Sequence, residues 1–237
     1  MSGHCISSFF FIFFEIRLKN NYKIIKKKRM EQIYPKTDAG GENKQDAILK
    51  KLFLFYKQDC NKDIIIPIIK QKTNISLRLL DWLVTNYSEK NNIYYSIQKT
   101  SGCVNFNIWL DYKNQLKAYN KSNFDPFCRN QRIYYDLEKD VIYSLRNCSA
   151  EYIKELKFVE SGFVTTLAQL NFFRWAIKNH VINYASENID RIESDMLTAA
   201  DDKKIQRNKE MKRSRTLSKS HSILKKFYIK TQMEFVF

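Results

Sequence analysis

The chain has 237 residues, 44% of them hydrophobic, and a formal net charge of +16. That length suffices for one large domain or two small ones, and a core of ordinary size is within reach. Five glycines and three prolines argue against a repetitive all-β fold. Cys5, Cys60, Cys103, Cys128 and Cys148 are odd in number and widely spaced, with no C-x-x-C and no paired Cys/His run. A disulfide framework and a zinc module are therefore poor fits, and a reduced intracellular compartment fits best.

The charge is unevenly placed. Residues 1–30 hold seven basic and one acidic group, and residues 201–237 hold eleven basic and four acidic, so the middle carries only +3. Basic ends read as electrostatic arms for nucleic acid or an anionic membrane surface, or as solubilising tails.

Residues 1–29 form an atypical N-terminal extension. Ile6–Ile16 is an apolar run too short to span a bilayer, and its positive charge follows it, the reverse of a signal peptide. Met30 opens a more ordinary N-terminus and reads as the start, with 1–29 as upstream translation; the alternative is an interfacial anchor with a polybasic flank. Gly40-Gly41 lies in a polar loop without phosphate-loop spacing. Asp46 is placed to cap a helix running to Gln58, and Asp63 a second, short one; Ile64–Ile69 reads equally as a buried strand, although Pro67 suits a first helical turn better. Ser76 caps a helix through Trp82.

The centre turns β-rich. Ile93–Gln98 and Val104–Leu110 are strand-like around a Ser101-Gly102 turn, Asp111–Asn120 reverts to helical spacing, and Ile133–Leu137 pairs with Val141–Leu145 across Glu138-Lys139-Asp140. Asp136, Glu138 and Asp140 are the one suggestive carboxylate trio, with a polar hairpin turn as the simpler account. Between helix and hairpin, residues 119–132 combine Lys121, Arg129 and Arg132 with Tyr119, Phe124 and Phe127. Bases stack on such rings while the cations meet phosphate; otherwise Phe124 and Phe127 plug the core and Asp125-Pro126 makes a turn.

Thr165–Met196 is the longest periodic stretch. Thr165 or Thr166 serves as N-cap, Leu167, Leu170, Phe173, Trp175 and Ile177 follow at helical spacing, Asn179-His180 breaks the run, and Val181 onward resumes it. Two helices so joined suggest either a DNA-binding helix-turn-helix or a hairpin of core helices. Glu187, Asp190, Glu193 and Asp195 on the second have the wrong sign for facing phosphate. Leu77–Asn86 echoes Leu170–Asn179 at a constant offset of 93 residues, as a duplicated unit does. Beyond Met196 the pattern decays. Residues 201–224 read as a basic disordered tail carrying Lys212, Arg213 and Arg215, and residues 225–237 alternate again as a docking strand.

The segments SLRLLDWLVTNYSEKNNI, FDPFCRNQRIYY and TTLAQLNFFRWAIKNHVINYA, followed by the basic Arg/Ser tail, resemble a family encoded by nucleocytoplasmic large DNA viruses. The likeness covers residues 30–237. It implies a protein made in an infected cell, in cytoplasm, nucleus or virion, and supplies no catalytic residues and no reaction.

The expected fold is α+β: helical blocks flanking a small central antiparallel sheet, with a domain over 30–200. The expected function is non-catalytic nucleic-acid binding, to DNA or RNA, through Lys121, Phe124, Phe127, Arg129 and Arg132 of the loop and Lys212, Arg213 and Arg215 of the tail. The alternative is a virion or assembly protein acting through contacts with viral proteins. His180 is the one histidine of the expected domain and has no evident nucleophile beside it, and nothing points to a metal or cofactor.

Overall fold

The computed structural model describes residues 30–35, 44–99 and 102–208. The N-terminal extension, the Gly40-Gly41 loop, most of the basic tail and the 225–237 segment lie outside the described residues. The chain divides into two compact units, Met1–Glu187 and Asn188–Phe237.

In the first unit, β1 (Glu31–Tyr34) precedes α1 (Lys44–Tyr56), which starts two residues before Asp46. Asp46 lies in the first turn instead of at the cap, where its charge still complements the helix dipole. Ile48, Leu49, Leu52 and Tyr56 form the buried stripe. The apolar run 64–69 is neither a strand nor a separate helix. It is the second half of α2 (Asp59–Ile69), whose buried positions Asn61, Lys62, Ile65 and Ile68 recur at helical spacing. Pro67 is accommodated there because the carbonyl it cannot bond belongs to Asp63, which is exposed to water.

Ser76 caps α3 (Leu77–Trp82), its hydroxyl accepting from the Leu79 N–H at 3.1 Å. A π-helical turn (Leu83–Tyr87) follows, then the single turn α4 (Ser88–Lys90). Leu83, Val84 and Ser88 are all buried. β2 (Tyr94–Lys99) and β3 (Gly102–Asn107) pair as an antiparallel hairpin. β3 stops earlier than the strand-like residues suggest. Asn107 accepts the Leu110 N–H at 2.9 Å, so Ile108–Leu110 become the first turn of α5 (Ile108–Tyr119).

β4 (Arg132–Asp136) and β5 (Val141–Ser144) form the expected hairpin. The carboxylates at its end do turn chemistry: Asp136 accepts the Lys139 N–H at 3.3 Å, and Asp140 accepts the Tyr135 hydroxyl at 2.6 Å and pairs with Lys62 at 3.6 Å. α6 (Ala150–Leu156) is capped by Ser149. β6 (Gly162–Thr166) runs directly into α7 (Leu167–Lys178), and Thr166 is the cap, accepting from Gln169 N–H at 3.1 Å. After Asn179 and His180, the latter at φ 57°, comes α8 (Val181–Glu187). Val181, Ile182 and Ala185 bury that helix in the core, the hairpin reading of this pair.

The strands make two sheets. One is four-stranded and antiparallel, in the order β1-β5-β4-β6, and the other is the β2-β3 hairpin. β4 is central and Ile133, Tyr134, Tyr135 and Asp136 are all buried, as for a strand covered on both faces. Tyr134 packs with Tyr152, Ile153 and Leu156 of α6. On the other face Tyr135 lies against Phe163 and Phe53, and the Tyr56 hydroxyl donates to the Leu170 carbonyl at 2.7 Å, joining α1 to α7. Burial raises the Tyr56 pKa far above the ordinary phenol, with Arg174 opposing. The architecture is α+β.

The 93-residue echo is not a duplicated unit. Ser76 and Thr166 are 90 residues apart, so the caps fall out of step with the apolar match. α3 opens from a loop and leads to a hairpin, whereas α7 opens from a strand and leads to a helix. In the second unit a helix occupies 189–208, so residues 201–208, expected to be disordered, are helical, with Lys204 pairing Asp201 at 3.0 Å.

Candidate nucleic-acid interface

The loop after α5 is built around Asn120, whose φ of 64° ends the helix. A 3-10 turn (Lys121–Asn123) then delivers Phe124 inward. Its ring is fully buried among Tyr112, Tyr119, Phe172 and Trp175, with centroids 5.8 to 6.1 Å away. This corrects the expectation of paired stacking rings: a ring without exposed surface offers no face to a base. Asn123 completes the anchor. Its Nδ2 donates to the Tyr119 carbonyl at 3.2 Å, and its own carbonyl accepts Asn171 Nδ2 from α7 at 3.0 Å.

The remaining loop residues reach water. Phe127 is 50% exposed, its N–H donating to Asp125 Oδ1 at 2.8 Å. Arg129 is exposed, and Arg132 is half-buried where it opens β4 opposite Thr166. Lys121 is exposed and pairs with Asp125 at 3.4 Å. A second acid acts there too. The Asp81 carboxyl is pushed up to about 6, first by burial and then by Asp125, with Lys121 opposing. The same two carboxyls add to burial in raising the Tyr112 hydroxyl. Lys121 thus sits in a compensated field, which lowers its attraction for an anion. Lys212, Arg213 and Arg215 lie outside the described residues.

Tyr119 has a second role. It lines a groove of about 160 Å³ between α1, the end of α5 and α7, together with Lys44, Lys51 and Arg174. Lys44 and Lys51 stand seven residues apart on α1, so two helical turns put them on one face about 10 Å apart along the axis. Ala47, Ile48 and Ala118 supply apolar lining. Arg174 comes from α7 and donates Nη2 to the Tyr119 hydroxyl at 3.1 Å. That hydroxyl accepts, so its own proton remains for another acceptor. Among the described residues no lining side chain is acidic. Three cations thus stand beside apolar side chains with no acidic side chain among the described lining residues, an arrangement suited to an anion in a field less screened than at an open surface.

Of the groove's polar residues only Tyr119 was singled out from the sequence, as a ring of the 119–132 loop. Lys44 and Lys51 each look like part of a solvated helix face. The usable signal is Arg174, a lone cation inside the apolar stretch NFFRWAI. Buried cations need partners, so an arginine there marks either an ion pair or a ligand site.

Among the described residues no group of three or more His, Cys, Asp and Glu is placed to hold a metal ion, and no helix is long and apolar enough to cross a membrane.

No solved structure matches the chain. It is 36% identical over 178 residues, 75% of its length, to "Uncharacterized protein L507" of Acanthamoeba polyphaga mimivirus. The match takes in 62% of that protein, so the chain spans under two thirds of its relative. The resemblance to a large-DNA-virus family, read first from three short segments, holds at this level. A family model matches residues 25–227, and the chain belongs to that family, a family of unknown function (DUF7197).

Proposed function

We propose that the protein binds nucleic acid without catalysing a reaction. Lys44, Lys51 and Arg174 of the groove form the main phosphate contact, and the exposed loop residues Phe127 and Arg129 contribute stacking and charge. The observation that carries this reading is the groove itself: three cations and a hydroxyl converge with no acidic side chain among the described lining residues. The net charge of +16 gives the long-range attraction that phosphate binding uses. Lys212, Arg213 and Arg215 of the basic tail add charge to the long-range attraction.

The test is binding of the full-length protein to labelled single- and double-stranded DNA and RNA across a salt series. Binding is expected to weaken steeply with salt. Replacing Lys44, Lys51 and Arg174 together by Gln is expected to reduce the log–log slope by about 2, three contacts at roughly 0.7 each for a single strand. An unchanged slope overturns the groove assignment. No binding at low salt overturns the nucleic-acid reading and favours the assembly reading, which the open-edged β2-β3 hairpin supports through exposed Tyr94 and Val104.

A further inference from the structure

We infer that the groove receives a phosphate monoester at the end of a nucleic-acid strand, so that the protein grips an end in preference to the interior of a chain. The inference rests on the nucleic-acid reading and narrows it.

Charge is the first argument. An internal phosphodiester carries one negative charge, which leaves three cations largely uncompensated. A phosphate monoester carries about −1.5 to −2 near neutral pH and presents three acceptor oxygens. Lys44, Lys51 and Arg174 match that charge, and with the Tyr119 hydroxyl they supply at least one donor per oxygen.

Shape is the second. The phosphates of a continuous backbone follow one another along a ridge, so a backbone runs past a site on both sides. The groove is a recess of about 160 Å³ between helices, with apolar Ala47, Ile48 and Ala118 in its lining. A terminal group enters such a recess without the chain having to leave by the far side.

Preorganisation is the third. Arg174 is held by its hydrogen bond to Tyr119, and Tyr119 in turn stacks on buried Phe124 with centroids 5.9 Å apart and planes 11° apart. The guanidinium is therefore fixed before the ligand arrives, with donors left over for a forked contact. Less side-chain freedom is lost on binding than an unanchored arginine would lose.

The experiment compares one single-stranded oligonucleotide in three forms: 5′-phosphorylated, 3′-phosphorylated, and with hydroxyls at both ends. Full-length protein is titrated with each at fixed salt, with inorganic phosphate as competitor. At least one phosphorylated form is expected to bind about tenfold or more tightly than the unphosphorylated strand, and inorganic phosphate is expected to erase that increment first. The two phosphorylated forms distinguish the ends. Arg174→Gln and, separately, the exposed-site variant Lys51→Gln are expected to remove the preference while leaving residual salt-sensitive binding. Thermal unfolding of each variant controls for folding, and Lys51→Gln stands if Arg174→Gln does not fold. Equal affinity for all three forms, with the groove variants weakening all equally, overturns the strand-end inference and leaves nucleic-acid binding in place. Failure of all three to bind overturns both, as does binding of inorganic phosphate with no strand bound at all.

Discussion

Phe124 and Phe127 look equivalent in sequence, three residues apart among the same cations, and the structure separates them completely. Phe124 fills the space between α5 and α7, so Phe124→Ala should cost about 3–5 kcal/mol in unfolding free energy. Phe127→Ala should stay within about 0.5 kcal/mol, because half its surface is already in water. Chemical denaturation of the two variants checks this. No local pattern distinguishes the rings, since the difference lies in what α7 presents from 48 residues away: Asn171, which holds the Asn123 carbonyl. Asp81 gives a pH signature. Its folded pKa of about 6 lies above the ordinary carboxyl value. Between roughly pH 4 and 6 the folded state therefore binds more protons than the unfolded one, and this group's contribution to stability grows as pH falls through that window. At pH 7 the buried charge is a cost. Asp81→Asn should stabilise the protein there by about 1 kcal/mol after solvent screening, and should flatten the pH dependence of denaturation between pH 4 and 7.

At the scale of elements, legibility followed the strength of the local signal. Ser76 and Thr166 were readable as caps because a hydroxyl before an apolar periodic run has one dominant use. Thr166→Ala should cost about 1 kcal/mol, measurable by thermal unfolding. The hairpin β4-β5 was readable from its β-branched and aromatic residues around a polar turn. β1 and β6 were not: four and five residues long, they owe their strand state to pairing with β5 and β4. Tertiary pairing overrides weak propensity in such short runs. Gly162 marks the β4-β6 seam. A methyl group there would run into the Tyr135 carbonyl oxygen and the Tyr134 hydroxyl, and a backbone atom in a paired strand has little room to give. Gly162→Ala should lose about 1–3 kcal/mol, and hydrogen exchange should show the loss concentrated in β4 and β6. The groove was illegible for a related reason: α1 and α7 are more than a hundred residues apart, and only their packing brings Lys44, Lys51 and Arg174 to one place.

For the whole molecule, the charge of +16 makes two salt effects oppose each other. Free protein repels itself, so raising ionic strength from about 0.01 to 0.15 M, which shortens the screening length from roughly 30 to 8 Å, should raise its melting temperature. The complex with nucleic acid should weaken over the same range. Calorimetric scans with and without an oligonucleotide, in low and moderate salt, should show the ligand-induced rise in melting temperature shrinking as the free protein's own melting temperature climbs. Matching trends in both scans would argue against phosphate as the ligand.

The π-helical turn at Leu83–Tyr87 shifts attention from residue identity to residue count. Such a turn is an α-helix carrying one extra residue. The wide turn takes up that residue, so deleting it restores regular winding and leaves the turns on either side in phase, whereas one residue more or less in a regular helix rotates everything downstream by about 100°. Ser88 would stay on the buried side, and the strand that begins at Tyr94 would keep its hairpin phase with Tyr95 and Ile97 on their present faces. A single-codon deletion within Leu83–Tyr87 can therefore be taken up by the wide turn, whereas the same deletion in the regular turns of Leu77–Trp82 is a frameshift in three dimensions.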